Sequence, residues 1–447
     1  MAEAAHPSPE NQVKQRLKEK ILHRTASVCV VGLGYVGLPF AVEKAKVGFT
    51  VIGVDQNSRR VQQVNAGESY VTDVPGHELH RLVKKGLITA VTDFASVTAA
   101  DIIVICVPTP LTQNQVPDLQ YVNSVTEEIA RYLRPGQLVS LESTTYPGTT
   151  EEVLLPLLQG SGLKVEEDFF LCHSPERVDP GNKRYTTKNT NKVVGGVGPH
   201  SLEVAQAFYE QTIEQVVPVS SARAAEMVKV FENTFRAVNI ALVNELAVLC
   251  DKMGLNVWEV LDAAFTKPFG IMPFYPGPGV GGHCIPIDPH YLEWKAREYG
   301  FTTRFIGLAG EINRRMPEFT REKVHRVLNE AGKAVSRSKV LFIGMAYKKD
   351  LGDCRESPAI KIAELLLEDK AELLYHDPFV EEIELKGRRY RSVQLNEALL
   401  KSVDLVLIAT DHSSVDYRKL VDTAPIILDT RNATRGLSGR EDKVVLL

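Results

Sequence analysis

Cys284 lies in the segment GPGVGGHCIPIDPHYL, with glycines before it and a proline-initiated helix after it. The small neighbours on one side let a substrate approach the thiol closely. On the other side, the partial positive charge of a helix N-terminus favours the thiolate, the nucleophilic form of cysteine. The pattern therefore predicts a nucleophilic cysteine that can form a covalent intermediate.

A second motif lies near the start of the chain, where Gly32, Gly34 and Gly37 form G-x-G-x-x-G between an apolar strand and a helix. The first glycine permits a tight turn, the second lets a pyrophosphate approach the backbone, and the third lets helix and strand pack closely. Asp55 ends the next strand, 21 positions after Gly34, where a ribose-binding carboxylate is expected. Arg60 could bind a 2′-phosphate, but Asp55 would repel one, so NAD is predicted rather than NADP. A nucleophilic cysteine with a nicotinamide site indicates oxidation through a thioester.

Lys229 and Asn233 are four positions apart in a long helical pattern and therefore share one face. Such a pair is often a solvated polar strip. Here the neighbouring residues are apolar, so a cation and an amide side by side could hold the oxygen of a tetrahedral intermediate.

Three further positions carry polar groups at the ends of predicted elements. Asp288 precedes a proline and can be a helix N-cap, a role compatible with assisting proton transfer beside Cys284. Glu176 and Thr144 each follow an apolar strand, where α/β active sites gather, although most such residues are ordinary loop residues. His283 and His290 flank the cysteine loop, but no fourth ligand has a familiar spacing, so no metal is predicted.

The elements that must position these residues alternate as strand and helix up to about residue 219, which predicts a parallel sheet covered on both faces. From about Ser220 a long proline-free helical stretch runs to a stop at Gly254, typical of a linking helix with a dimer face or of a plain core helix. After Arg337 the alternation returns and echoes the first half. The second copy keeps Gly344 but not the other glycines, so we expect it to have lost dinucleotide binding.

The predicted fold class is therefore α/β, with two Rossmann-like doubly wound domains joined by a helical central domain that contains a long linking helix. The predicted ranges are a polar N-terminal extension with a short helix, the NAD-binding domain, the central domain and a C-terminal Rossmann-like domain, at 1–24, 25–219, 220–325 and 326–447.

Composition narrows the classes of partner. The 447 residues are 44% hydrophobic with a formal net charge of -4, as in a soluble globular protein without a basic excess for nucleic acid. No apolar run is long enough to span a membrane, and the N-terminus lacks the apolar segment of a signal peptide. The six cysteines show no metal or CxxC spacing, so we expect reduced thiols and a cytoplasmic location.

The motifs GLGYVGLP, CVPTP, ESTTYPGTT, SPERVDPG, KVFEN, GVGGHCIPIDP, GMAYKKDLGDCRESP and DTRN occur in this order from about Ala26 onwards. In this combination the chain resembles the UDP-glucose/GDP-mannose dehydrogenase family. The resemblance implies an NAD domain, a helical domain with the dimer contact and a UDP-sugar domain. We accordingly expect a homodimer or higher homo-oligomer with a UDP-sugar substrate.

By this resemblance, the C6 alcohol of the sugar is oxidised to a carboxylate with two NAD. Cys284 would form the thiohemiacetal and thioester, and Lys229 and Asn233 would stabilise the oxyanions, with Lys229 also assisting the first proton removal. Asp288 would support Lys229 or the hydrolytic water. Glu176 would be the general base for thioester hydrolysis, and Thr144 would bind the water.

The resemblance also implies two sets of binding residues. The expected cofactor-binding residues are Gly32, Leu33, Gly34, Tyr35, Val36, Gly37, Asp55, Arg60, Pro108, Thr109, Thr144 and Arg355. The expected substrate-binding residues are Glu176, Arg177, Lys229, Asn233, Phe274, Tyr275, Gly281, Tyr347, Lys348 and Arg431.

Two local patterns bear on the sugar. UDP-glucose members usually have a lysine just before the aspartate of the cysteine motif, where this chain has Ile287. GHCIPIDPHYL and SPERVDPG are similar to the N-acetylhexosamine branch, with Arg177 facing the sugar or its acetamide. UDP-N-acetylglucosamine is the expected substrate, with UDP-N-acetylmannosamine and UDP-glucose as alternatives.

Two other functions stay open from the residues. A two-electron dehydrogenase of the 3-hydroxyacid or 6-phosphogluconate type also pairs G-x-G-x-x-G with a Lys-x-x-x-Asn helix. It requires neither Cys284 nor a second Rossmann-like half. A catalytically silent sensor of NAD or nucleotide sugar would bind both ligands without producing NADH.

Overall fold

The computed structural model describes residues 9–112, 114–179, 182 and 184–447. The chain forms two compact units. The first comprises the residues up to Glu232 together with Trp294–Gly300, and the second comprises Asn233–Glu293 and Phe301–Leu447. The domain boundaries proposed from the sequence stay predictions.

The first unit is built on an eight-stranded sheet with the order β3-β2-β1-β4-β5-β6-β7-β8. Its strands are β1 Ser27–Val31, β2 Thr50–Val54, β3 Ile88–Val91, β4 Ile102–Ile105, β5 Leu138–Leu141, β6 Phe170–His173, β7 Lys192–Gly196 and β8 Val216–Val219. Alternate residues of β1 enter different cores: Val28 and Val30 pack on one face of the sheet, and Cys29 and Val31 on the other. Both faces are buried, which explains the continuous apolar runs in the sequence.

One neighbour pair departs from the predicted parallel sheet. Strands β6 and β7 are antiparallel, with Cys172 opposite Gly196 and His173 opposite Gly195. Parallel neighbours need a crossover connection that is usually a helix, whereas antiparallel neighbours do not. No helix lies between β6 and β7 in the described residues of the connection, so the chain can return beside itself.

Seven α-helices of the described residues belong to this unit: α1 Pro9–Leu22, α2 Gly37–Lys46, α3 Ser58–Ala66, α4 Gly76–Lys84, α5 Gln120–Tyr132, α6 Leu155–Gln159 and α7 Pro199–Tyr209. The helix predicted in the N-terminal extension is thus confirmed as α1. It buries Leu17 and Ile21, and its Lys14 and Lys18 pair with Glu203 on α7.

The long helix predicted after Ser220 is also confirmed. It is α8, Ala222–Met253, and it ends at Gly254 in a left-handed conformation with φ of 69°. The boundary between the two units falls within α8, after Glu232. The following helices are α9 Val257–Ala264, α10 Asp288–Ala296 and α11 Arg304–Glu330. Within the described part of the chain, no helix is both long and apolar enough to cross a lipid bilayer.

The second unit contains a five-stranded parallel sheet with the order β10-β9-β13-β14-β15. The remaining strands of the chain are β9 Lys339–Ile343, β10 Glu372–His376, β11 Glu382–Leu385, β12 Arg388–Arg391, β13 Leu405–Ile408, β14 Ile427–Asp429 and β15 Val444–Leu446. The helices are α12 Pro358–Glu368, α13 Glu397–Ser402 and α14 Tyr417–Thr423. The predicted α/β class with two Rossmann-like sheets and a helical middle is confirmed.

The turn after β9 resembles the glycine turn after β1 in the contact that its backbone makes with an acid. Gly344 has a φ of 83°, and the backbone N–H groups of Met345 and Ala346 that follow donate to the carboxylate of Asp377, at 2.7 and 3.0 Å. Asp377 therefore takes the position that Asp55, which accepts from the N–H of Leu33, takes beside the turn after β1. The expected loss of dinucleotide binding by the second copy stays a prediction.

Candidate active site

The glycine turn after β1 has the geometry that a pyrophosphate requires. Gly32 has a φ of 92°, and a Cβ there would lie 2.5 Å from the Cys106 carbonyl oxygen. A Cβ on Gly37 would lie 1.9 Å from the Gly32 carbonyl oxygen, so helix α2 can approach only without a side chain. A Cβ on Gly34 would meet no atom within 4 Å, which leaves the backbone open to a ligand. The residues present therefore fit NAD.

Asp55 stands at the end of β2, buried beside this turn. Its carboxylate accepts hydrogen bonds from the backbone N–H groups of Leu33, at 2.9 Å, and Asn57, at 2.8 Å, and lies 3.5 Å from Arg60. An open cavity of about 320 Å³ lies next to it. This cavity is lined by Gly34, Tyr35, Asn57, Arg59, Arg60, Gln63, Tyr70 and Val71. The predicted positions Gly34, Tyr35 and Arg60 all line this cavity.

The loops after β4 and β5 lie together at the same edge of the sheet. The hydroxyl of Thr109 donates to the carbonyl of Thr144, at 2.7 Å, and Ser143 donates to the carbonyl of Val107, at 2.7 Å. Pro108, the third predicted position, is exposed between these contacts. The two segments CVPTP and ESTT therefore form one surface.

Glu226 was not predicted from the sequence. It is buried on α8, one turn before Lys229, and accepts hydrogen bonds from the N–H groups of Gly148 and Thr150 and from the Thr150 hydroxyl. Burial raises its pKa to about 7. Glu226 thus ties the loop that carries Thr144 to the helix that carries Lys229. The sequence signal that could have indicated Glu226 is an acid one helical turn before the Lys-x-x-x-Asn pair.

Glu176 follows β6 and is half-buried. One carboxylate oxygen accepts hydrogen bonds from the backbone N–H groups of Arg177, at 2.8 Å, and Val178, at 2.7 Å. The guanidinium of Arg177 forms a two-pronged ion pair with Glu232 on α8 and donates to the Asn191 carbonyl. Arg177 therefore fixes the SPERVDPG loop to α8, a contact that the sequence pattern did not indicate.

In the second unit, a turn runs from Cys284 to Asp288, the first residue of α10. The Cys284 carbonyl accepts from the N–H groups of Ile287, at 3.1 Å, and Asp288, at 2.8 Å, so the turn starts at the cysteine. The thiol residue is exposed, whereas Asp288 is buried and accepts a hydrogen bond from the Asn233 amide. Lys229, four residues before Asn233 on α8, is buried as predicted from its apolar neighbours.

The glycines before Cys284 pack against the C-terminal half of this unit. The N–H of Gly282 donates to the Arg355 carbonyl, and a Cβ on Gly281 would lie 2.7 Å from Cβ of Tyr347. A Cβ on Gly277 would lie 2.5 Å from the Arg431 guanidinium. The structure thus brings the cysteine loop together with Tyr347, Arg431 and the segment that carries Lys348.

Three other residues that were predicted to bind ligands have partners within the second unit. The Tyr275 hydroxyl donates to Asp262, at 2.9 Å, and its ring stacks on Trp258. Phe274 packs against the cluster around Trp258. The Arg355 guanidinium pairs with Asp353.

Two histidines, His283 and His290, flank the cysteine loop. Burial lowers the pKa of both His283 and His290, and His290 contacts Glu293 and Arg314 through its two ring nitrogens. Among the described residues, no three His, Cys, Asp or Glu side chains are grouped as a metal site would require.

Comparisons with known proteins agree with this geometry. Three models of the UDP-glucose/GDP-mannose dehydrogenase family match: the NAD binding domain at residues 26–213, the central domain at 223–315 and the UDP binding domain at 341–436. The UDP-N-acetyl-D-mannosamine dehydrogenase of Pyrococcus horikoshii is 34% identical over 91% of this chain and 95% of the relative. The UDP-N-acetyl-D-glucosamine 6-dehydrogenase of Pseudomonas aeruginosa is 35% identical over 90% of this chain and 96% of the relative.

A solved structure of the UDP-D-ManNAc dehydrogenase from Pyrococcus horikoshii superposes with a TM-score of 0.84 at 33% identity, covering 93% of this chain and all of that one. The resemblance inferred from the motifs is confirmed, as are the NAD domain and the assignment as a nucleotide-sugar dehydrogenase. The chain belongs to the UDP-glucose/GDP-mannose dehydrogenase family.

Proposed function

We propose that this chain oxidises the C6 alcohol of a UDP-N-acetylhexosamine, with UDP-N-acetylglucosamine as first choice, to the uronic acid in two steps. One observation carries the proposal: an exposed thiol begins the turn into α10, in a glycine loop packed against Tyr347 and Arg431. A two-electron alcohol oxidation requires no such nucleophile. A thioester route does.

NAD, when bound, accepts the hydride released in each oxidation. The open backbone at Gly34 and the cavity beside Arg60 and Tyr70 would hold its pyrophosphate and adenosine. Thr109 and Thr144, joined by a hydrogen bond, would support the nicotinamide end. Arg355 is proposed to reach the cofactor from the second Rossmann-like half.

The remaining chemistry belongs to side chains of this chain. Lys229 assists removal of the hydroxyl proton, and Lys229 and Asn233 stabilise each oxyanion. The Cys284 thiolate forms a C–S bond with the aldehyde carbon, and oxidation of this thiohemiacetal gives the thioester. Glu176 then takes a proton from a water bound by Thr144. The hydroxide adds to the acyl carbon, the C–S bond breaks and the thiolate leaves.

Two lines of support bear on the sugar. Ile287 stands where UDP-glucose members usually have lysine, and the loop SPERVDPG is held on α8 through Arg177 and Glu232. We assign Arg177 to shaping the sugar site through this loop. UDP-N-acetylmannosamine is the second candidate, because relatives named UDP-N-acetyl-D-mannosamine dehydrogenase match over 91% of the chain.

A substrate panel tests the proposal. UDP-glucose and the UDP-N-acetyl derivatives of glucosamine, mannosamine and galactosamine are each incubated with NAD, and NADH is counted per sugar consumed. Two NADH with an N-acetylhexosamine support the proposal. One equivalent would indicate a two-electron dehydrogenase, and binding of both ligands without NADH would indicate a sensor.

We also propose a homo-oligomer. Large apolar side chains recur along one face of α8 at helical spacing and are exposed: Phe231, Phe235, Leu242, Leu249 and Met253. An exposed apolar stripe of this length is a feature of protein–protein interfaces. A cytoplasmic location remains a prediction from the sequence.

A further inference from the structure

Lys192, the first residue of β7, lies between two carboxylates of the first unit. Its ammonium donates a hydrogen bond to Glu142 and stands 3.8 Å from the nearer oxygen of Glu176. The side chains of Lys192 and Glu142 are 6% and 0% exposed, and that of Glu176 is 17% exposed. A buried cation is therefore shared between a buried acid and the proposed general base.

The antiparallel step in the sheet explains why a lysine reaches this edge. Glu142 and Glu176 follow the carboxyl ends of β5 and β6, whereas the first residue of a parallel neighbour would lie at the opposite edge. Because β7 runs antiparallel to β6, its first residue comes to the catalytic edge. Continuing the pairing of His173 with Gly195 by three residues places Lys192 opposite Glu176.

The two carboxylates lie at different distances from the Lys192 ammonium, and the nearer one balances most of its charge. Glu142 is the direct partner, and it also accepts a hydrogen bond from the Tyr209 hydroxyl, at 2.6 Å. Glu176 is the more distant partner, and its other oxygen is held by the N–H groups of Arg177 and Val178. Lys192 can thus orient the Glu176 carboxylate while most of its charge is balanced by Glu142.

We propose that Lys192 is a positioning residue for the proposed general base Glu176, and that Glu142 is the counter-charge that keeps Lys192 from pairing too tightly with it. This assignment rests on the proposed function, in which Glu176 removes a proton from water. A cation paired with Glu176 alone would weaken it as a base. Without the cation, the carboxylate would lose the contact on its second oxygen.

Other titratable groups face this cluster. They are Lys44 on α2, Cys106 after β4, Cys172 and His173 on β6, and Tyr209 on α7. Burial raises the pKa of Cys172 to about 12 and lowers that of His173 to about 3. Burial also raises the pKa of Cys106 and Tyr209, and it lowers the pKa of Lys44. Lys44 interacts with the charges of both Glu142 and Lys192, so its own titration also changes between the variants compared below.

The test compares two variants that predict opposite shifts. Glu142→Gln leaves Lys192 facing Glu176 alone, which favours the charged carboxylate, so thioester hydrolysis should persist to lower pH. The double variant Lys192→Met/Glu142→Gln removes both charges, so hydrolysis should be lost at higher pH. At a pH where the hydrolysis rate still rises with pH (the acid limb of the pH–rate profile), the rates of the two variants should differ by about tenfold or more.

The readout is the decay of the covalent adduct on Cys284, followed by acid quench and intact mass from about pH 5 to about pH 9. The substrate is the UDP-sugar that yields two NADH in the substrate panel described above. Lys192→Arg keeps the charge, so the acid limb of its pH–rate profile should lie close to that of the wild type. If the acid limb stays in place in both Glu142→Gln and the double variant, or moves the same way in both, Lys192 has no such role.

Folding is checked by thermal melting, because Glu142 and Lys192 are buried. If the double variant does not fold, the test rests on Glu142→Gln alone. An acid limb that stays in place or moves to higher pH in Glu142→Gln then overturns the assignment. Failure of the proposed function looks different. A wild-type enzyme that never forms an adduct removes the thioester route itself, whereas an adduct that decays normally with no shift in the variants removes only the role of Lys192.

Discussion

The side-chain amide of Asn233 on α8 donates a hydrogen bond to the carboxylate of Asp288 at the start of α10. The two residues are 55 positions apart, and both are buried in the second unit. The amide is therefore held in one orientation by an acid, as an oxyanion-stabilising donor should be.

Asn233→Ala should lower kcat by about a hundredfold, because the proposed oxyanion donor is lost and Asp288 loses a partner. Initial NADH production measures the effect. Asn239→Ala on the same helix is the control, since its amide donates to the Phe235 carbonyl. Equal activity of the two variants would contradict the role of Asn233.

Cys284→Ser should abolish formation of the uronic acid, because an oxygen ester would be hydrolysed poorly and serine is the weaker nucleophile. Product analysis by mass spectrometry checks this. Cys250→Ala, in the buried cluster on α8, should retain activity. Undiminished acid production by Cys284→Ser would remove the nucleophile from the mechanism.

Glu176→Gln should spare thioester formation and slow its hydrolysis by a factor of about a hundred or more, because the proposed general base is lost. An adduct of the sugar acyl group on the protein should then accumulate in the intact mass. Glu210→Gln, at the end of α7, is the matched surface control. Normal turnover without an adduct would mean that Glu176 is only structural.

Glu226 should make stability depend on pH. Its folded pKa of about 7 lies above the ordinary value of 4.5, so the folded state keeps a proton that the unfolded state loses between these values. Its contribution to the free energy of unfolding is therefore fully present below pH 4.5 and declines as pH rises to about 7, by a few kcal/mol at most.

Glu226→Gln cannot ionise, so melting temperatures of this variant and the wild type should diverge between about pH 5 and about pH 7. Glu245→Gln, exposed on the same helix, should follow the wild type. A constant difference between Glu226→Gln and the wild type across this range would show that Glu226 does not bind the proton.

Leu242→Glu should weaken the proposed oligomer, because the leucine is 62% exposed in the apolar face of α8. Light scattering coupled to size exclusion gives the mass. Leu22→Glu, on the exposed side of α1, is the control and should leave the mass unchanged. A wild-type mass equal to one chain would contradict the proposal outright.

Local patterns predicted the parts of the fold that depend on neighbouring residues. The periodicity and lack of proline in α8, the glycine turn after β1 and the proline start of α10 all lie within a few positions of their cause. The two Rossmann-like halves were also visible, because each strand ends in a recognisable turn. The hairpin β11–β12 and the reversed strand β7 carry no comparable signal.

The long-range contacts that organise the candidate site could not be predicted from the sequence in the same way. Lys192 meets Glu142 from 50 positions away, and Glu226 meets Gly148 from 78 positions away. Such pairings depend on strand order and register, which a single sequence fixes only weakly. Glu176 was proposed from its place after a strand, but its contact with Lys192 could not be predicted from the sequence.

The contact of Asp377 with the turn after β9 has a consequence for attempts to give the C-terminal half a second cofactor. Asp55 makes the equivalent contact with the N–H of Leu33, so this acid does not distinguish the two turns. The glycines do, because the second copy keeps only Gly344. A redesign of this half would therefore begin with the missing glycines and leave Asp377 unchanged.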